Sequence, residues 1–173
     1  MRIFLIGFMG SGKSTIGQAL AEQLGFFFYD TDEMIEAAEE RSIPEIFKTK
    51  SELYFREKEK ETLHQTSNFE KSIIAVGGGT PCFFDNMDWM NDHGITFHLN
   101  MSPEGLKQRL ENAAGNRPLL KNIDTDELLN FIALKLEERK HFYNLAHFNF
   151  NAEEPEDILL KQMKLAISKM TWH

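Results

Sequence analysis

The stretch GFMGSGKST, Gly7–Thr15, decides how this chain is read. Gly7-x-x-x-x-Gly12-Lys13-Ser14 has the spacing of a phosphate-binding loop, a pattern that means little without its flanks. Here the apolar run Ile3–Ile6 reads as a short buried strand before it, and Ile16, Ala19, Leu20 and Leu24 recur at helical spacing after it, up to a stop at Gly25. Strand, loop and helix follow in the order that phosphate binding needs. Gly7, Gly10 and Gly12 permit a tight loop whose N–H groups, with the helix N-terminus behind them, converge on an anion. Lys13 then reaches the β- and γ-phosphates, and the Ser14 hydroxyl is placed to ligate Mg²⁺.

The rest of the chain bounds this reading. At 173 residues it suits one α/β domain, which buries roughly 70% of the surface its unfolded form exposes. A net charge of -8 argues against a broad basic surface for nucleic acid, so any anion site is local. Cys82 is the single cysteine, which excludes an intrachain disulfide framework and suits a reducing compartment. The opening MRIFLIGFMG is too short and too glycine-broken for a signal peptide, and no apolar run approaches a membrane span. The expectation is a cytoplasmic, monomeric protein with no nucleic-acid or membrane partner.

Further strands are predicted at Phe26–Tyr29, Ser72–Val76, Ile95–Leu99 and Phe148–Phe150, with helical patterns between them. Alternation of this kind implies right-handed crossovers and a five-stranded parallel sheet covered on both faces, a three-layer α/β fold with ligands at the carboxyl ends of the strands. Ser102-Pro103-Glu104 predicts a capped helix start with Leu106 and Leu110 inward, and Pro155 predicts the opening of the last helix. The aromatic run Phe26–Phe28 reads as sheet core. Two stretches depart from the rhythm: Asp32–Leu63, highly charged, and Asn112–Asp124. In a phosphate-transfer enzyme these are places for a substrate-binding insert and a lid.

Strand two ends FFFYDTD, which puts Asp30 and Asp32 beside the phosphate loop, on one side of the chain if the extension continues. One acid suits a Mg²⁺ shell and the other an attacking hydroxyl; an Asx turn and a helix cap before Glu33 would use the same residues. The third strand ends AVGGGT, where Gly77, Gly78 and Gly79 either leave room for a ligand pressed against the backbone or form a plain loop. Arginine is confined to Arg2, Arg41, Arg56, Arg109, Arg117 and Arg139. Arg56 and Arg139 fit a bidentate carboxylate clamp, and they equally fit solvated charge ladders with neighbouring Glu residues. The six histidines show no metal spacing. From the residues alone, the reading stops at a kinase for a small anionic alcohol.

The joint occurrence of GFMGSGKSTIGQALA, DTD, SIPEIF, FREKE, GGGTPC, RPLL and ERKHFY, in this order over nearly the whole chain, closely resembles the shikimate kinases. The resemblance implies a P-loop kinase fold like that of nucleoside monophosphate kinases. It also implies ATP-dependent phosphorylation of the 3-hydroxyl of shikimate, on the route to chorismate and aromatic amino acids. By motif position, Gly10, Ser11, Gly12, Lys13, Ser14 and Thr15 hold the ATP phosphates, and Ser14 with Asp30 serves one Mg²⁺. Asp32 takes the shikimate hydroxyls, and Arg56 and Arg139 take its carboxylate. Gly77, Gly78 and Gly79, chiefly Gly78, lie against the ring. Arg117, in a lid over about 112–124, joins Lys13 and Asp32 in catalysis, and the substrate-binding segment covers about 32–63. The chain departs from the family at Ser51, where glycine is expected, and at AEEPED after the last strand, where a residue for adenine is expected. Arg109 is the remaining candidate to stack on the base. Gluconate kinases are the nearest rival, opposed by the GGG, FR and RPLL elements. Nucleoside monophosphate kinases lack a counterpart here for base recognition of the acceptor. A nucleotide-binding regulatory module is opposed by the joint presence of Lys13, Ser14, Asp32 and Arg117.

Overall fold

A computed structural model of the chain describes residues 1–113 and 125–170. Its sheet has the strand order β2-β3-β1-β4-β5, formed by β1 (Arg2–Ile6), β2 (Phe27–Asp30), β3 (Ser72–Ala75), β4 (Ile95–Asn100) and β5 (Phe148–Asn151). All four pairings are parallel, with Phe4 opposite Ile74 on one side and Thr96 on the other. The helices are α1 (Lys13–Leu24), α2 (Thr31–Glu39), α3 (Ile43–Thr49), α4 (Glu52–Gln65), α5 (Asn86–His93), α6 (Pro103–Ala113), α7 (Thr125–Tyr143) and α8 (Glu156–Met170).

The alternation along β1 explains the layers, because successive side chains of a strand point to opposite faces. Ile3 and Leu5 enter a core with Leu20, Leu106, Leu110, Ile132 and Leu160, which α1, α6, α7 and α8 supply. Phe4 and Ile6 enter a second core with Leu63, Met87, Met90 and Tyr143, from α4, α5 and the end of α7. A third, small cluster of Ile35, Ile46 and Phe55 ties α2, α3 and α4 into the excursion between β2 and β3. The sheet is therefore buried on both faces, as the sequence pattern predicts.

Local expectations mostly hold. Gly25 closes α1 in the left-handed conformation, φ 66°, with its N–H returned to the helix. The Ser102 hydroxyl accepts from the Gly105 N–H at 3.0 Å, and Leu106 and Leu110 are buried. Two details differ. Pro155 lies just before α8 and contributes its carbonyl to the Ile158 and Leu159 N–H groups, because the helix begins at Glu156. Phe27 is 66% exposed and is not core, because β2 is an edge strand and presents alternate residues outward. The predicted lid over 112–124 lies, beyond the end of α6, outside the described residues.

Gly94 enters β4 pressed against β1: a Cβ there would lie 2.7 Å from the Arg2 carbonyl oxygen and 2.8 Å from the Phe4 ring. Backbone in a sheet cannot yield as a side chain can. Gly94→Ala is expected to destabilise the fold by about 1–3 kcal/mol, the usual cost of overpacking. Urea unfolding checks this; the midpoint should fall with an unchanged slope.

Candidate active site

The phosphate loop joins β1 to α1 with Gly10 at φ 83° and Gly12 at φ 94°, conformations that disfavour any side chain. Gly12 is the residue before α1 and lacks a capping side chain, so the first N–H groups of the helix remain available to an anion. The Lys13 ammonium folds over the loop and donates to the carbonyls of Gly7 and Phe8 at 2.9 and 3.1 Å. The Ser11 hydroxyl is buried with no hydrogen-bond partner among the described residues. Gly10, Gly12, Lys13, Ser14 and Thr15 line a cleft of roughly 870 Å³, which also reaches Asp30, Asp32, Gly78, Arg109 and Glu154.

At the end of β2 the predicted extension does not continue. The strand stops at Asp30 and α2 starts at Thr31, so Asp30 and Asp32 reach the cleft by different routes. Asp30 is the cap: one carboxylate oxygen accepts from the Asp32 N–H at 3.0 Å, and the other accepts from the Ser14 hydroxyl at 2.8 Å. It therefore serves turn and cleft at once. Asp32 sits in the first turn of the helix, and its Oδ1 is buried without a partner among the described residues. Burial, with the Asp30 and Glu59 carboxylates beside it, pushes the Asp32 carboxyl up to about 6.

The three glycines after β3 set the geometry of the other side. A Cβ at Gly77 would lie 2.6 Å from Glu59 Oε1 and 2.8 Å from Asp32 Oδ1. At Gly78 it would lie 3.4 Å from Arg139 Nη1, and 3.3 Å from the Gly7 carbonyl oxygen of the phosphate loop. At Gly79 it would lie 2.7 Å from Arg56 Nη1. Each missing side chain is thus replaced by a charged group from another element. None of the three glycines has a positive φ, so space and not backbone freedom accounts for them.

Arg56 meets both of its predicted descriptions. It pairs with Glu52 at 3.1 Å and with the buried Glu59 at 2.6 Å, one turn apart on α4, and its guanidinium lies 4.1 Å over the Phe83 ring. Arg139 is different: among the described residues it pairs with no carboxylate, and it lies 5.2 Å over the Phe8 ring. A cation held on an aromatic face without a resident anion is available to an external one. Arg109 donates to the Ser11 carbonyl at 3.1 Å and to the Ala152 carbonyl at 2.8 Å, bridging the phosphate loop to the chain after β5. Arg117 lies outside the described residues.

Glu59 escaped the reading of the sequence. In FREKE it looks like one rung of a solvated ladder, yet it is 2% exposed and accepts from the Thr80 hydroxyl at 2.7 Å. Only the i, i+3 spacing from Arg56 hinted at it. The structure brings together the phosphate loop, Asp30, Asp32, Gly77–Gly79, Arg56, Arg109 and Arg139, from six separate segments of the chain.

Known proteins share the sequence and the fold. Residues 9–166 match the family model for shikimate kinase. A shikimate kinase of Bacteroides thetaiotaomicron is 45% identical over 91% of this chain and 90% of its own. The 1.7 Å crystal structure of shikimate kinase from that organism superposes with a TM-score of 0.90 at 41% identity, covering 100% of this chain and 99% of the other. A shikimate kinase from Acinetobacter baumannii, solved in complex with shikimate, gives 0.84 at 32% identity, covering 97% and 93%. The fold, the order of the motifs and these matches agree: the chain belongs to the shikimate kinase family.

Proposed function

We propose that the chain transfers the γ-phosphoryl group of ATP to the 3-hydroxyl of shikimate, with the roles divided as follows. The observation that carries the assignment is the contact of Gly78 with both the phosphate loop and Arg139, because it puts an anion-binding cation beside the place where the triphosphate ends. Phosphoryl transfer needs mainly positioning and charge neutralisation. Lys13 and the N–H groups of Gly10–Thr15 hold the phosphates. Arg139 and Arg56 take the carboxylate of shikimate at one end, and Asp32 accepts from its hydroxyls at the other. Arg109 packs against the base from the Ala152 side of the cleft. Arg117, assigned by its motif, meets the transferring group, and the segment about 32–63 supplies the substrate side.

The donors near Ser14 fit Mg²⁺. A hydroxyl and two carboxylates, Asp30 and Asp32, are hard oxygen ligands, and Mg²⁺ beside a nucleotide usually takes one or two carboxylates and completes its shell with phosphate and water. Ser14 and Asp30 would hold it, and it would neutralise phosphate charge there. Asp32 then orients the hydroxyl and is placed to take its proton. The acidic composition and the single cysteine support a cytoplasmic enzyme without nucleic-acid partners, and a monomer completes the reading. Among the described residues no helix is long and apolar enough to cross a membrane.

ADP release from Mg-ATP should require shikimate, with gluconate and nucleoside monophosphates inactive as acceptors; turnover with one of those would overturn the substrate. Arg139→Ala should raise KM for shikimate about 10- to 100-fold and leave KM for ATP within about threefold. Lys13→Ala should instead lower kcat about 10²- to 10³-fold at any shikimate concentration.

The Asp32 carboxyl adds a pH signature. Its folded value of about 6 lies above the ordinary 3.8, so the folded state holds the extra proton between those limits and stability falls as pH rises through them. Asp32→Asn should therefore be more stable than the parent at pH 8, by on the order of 2 kcal/mol, and no more stable near pH 4. In the absence of nucleotide, shikimate binding should weaken below about pH 6 in the parent and stay flat in the variant. Identical profiles would place Asp32 outside the acceptor site.

A further inference from the structure

The ERKHFY motif contains a second residue besides Arg139 that faces the site. Tyr143 follows Arg139 by one helical turn at the end of α7 and is 1% exposed, the largest of the fully buried side chains. Its hydroxyl donates to the Gly78 carbonyl at 2.7 Å. Arg139 Nη1 lies 3.4 Å from where a Cβ of Gly78 would stand, so the guanidinium and the hydroxyl meet the same residue. A phenol has one proton to give and two lone pairs that accept. With the proton committed to Gly78, the lone pairs remain to accept, and the Arg139 guanidinium is the cation near them. The ring itself cannot swing away: it packs at 4.8 Å against the His98 ring, which is hydrogen-bonded to Asn149 at 2.6 Å, and it sits in the core shared by Phe4, Ile6 and Met87.

We infer that Tyr143 is a positioning residue for the acceptor site, its hydroxyl holding the Gly78 backbone and the Arg139 guanidinium in register with each other. Gly78 abuts the phosphate loop at the Gly7 carbonyl and the Met9 N–H, and Arg139 stands over the Phe8 ring. One hydroxyl thus fixes the distance between the acceptor's anion-binding cation and the loop that carries the donor. Without it, the Gly78 carbonyl loses its partner, and the backbone against which the guanidinium rests is free to shift. The inference rests on the reading of Arg139 as a ligand for the shikimate carboxylate.

Tyr143→Phe keeps the ring and removes only the hydroxyl. KM for shikimate should rise about tenfold, the worth of a hydrogen bond that includes a charged partner, while KM for ATP stays within about twofold. In an Arg139→Ala background the same change should move KM for shikimate by less than about twofold, because the coupled partner is already gone. KM does not depend on how much of the enzyme is folded, so a less stable variant still gives the answer. Equal effects in the two backgrounds, an equal rise in KM for ATP, or no rise at all would reduce Tyr143 to a core residue and overturn the inference. Arg139→Ala with an unchanged KM for shikimate would overturn the reading of Arg139 and the inference together.

Discussion

The site depends on a lack of room after β3. Gly77, Gly78 and Gly79 run along a wall where Glu59, Asp32, Arg139 and Arg56 come so close that no Cβ fits at Gly77 or Gly79 without displacing a charged group. Like-signed and opposite charges are thereby sorted along three residues: carboxylates at the first, guanidinium groups at the second and third. A small acid with hydroxyls matches that order, with acceptors for its hydroxyl end and cations for its carboxylate. Because Gly78 also touches the phosphate loop, the proposed acceptor site borders the loop by construction of the sheet.

That arrangement is held by groups that are costly to bury. Glu59 lies under Arg56 with the Thr80 hydroxyl as its second partner, and the i, i+3 spacing on α4 keeps the pair in one geometry. Asp32 lacks such compensation: Oδ1 is buried without a partner among the described residues, and its carboxyl is harder to ionise than usual for that reason. A buried carboxylate with an unused acceptor lowers stability and is ready to receive a hydroxyl proton. The fold offsets that cost with two apolar layers on the sheet, and under the proposed role the acceptor would complete the missing hydrogen bond.

Much of this was legible in the residues. The five strands, the helix stop at Gly25, the helix start at Ser102 and the phosphate loop rest on local signals: period, capping chemistry and glycine at positive φ. Phe27 was misplaced because period and apolarity do not distinguish an edge strand from a central one; strand order is decided by distant segments. The turn at Asp30 is ambiguous in the sequence, since DTD serves equally as a strand end and as an Asx turn with a helix cap, and the hydrogen bond from the Asp32 N–H favours the cap. Glu59 and Tyr143 were hidden because their partners, Thr80 and Gly78, are 21 and 65 residues away. A charge in a helix is a ladder rung or a buried ligand according to what packs above it, and only the fold supplies that.

The most direct test is KM for shikimate in Gly79→Ala. The backbone at Gly79, φ -88° and ψ -21°, accepts alanine without strain, and the atom in the way is the head of a flexible side chain, so the fold should survive with little loss of stability. The methyl group must instead push Arg56 off its place against Phe83 and Glu59. A KM for shikimate raised about tenfold or more, with KM for ATP and the melting temperature nearly unchanged, is the predicted result. Parental kinetics in the folded variant would contradict the claim that the missing side chains of the glycine run shape the acceptor site.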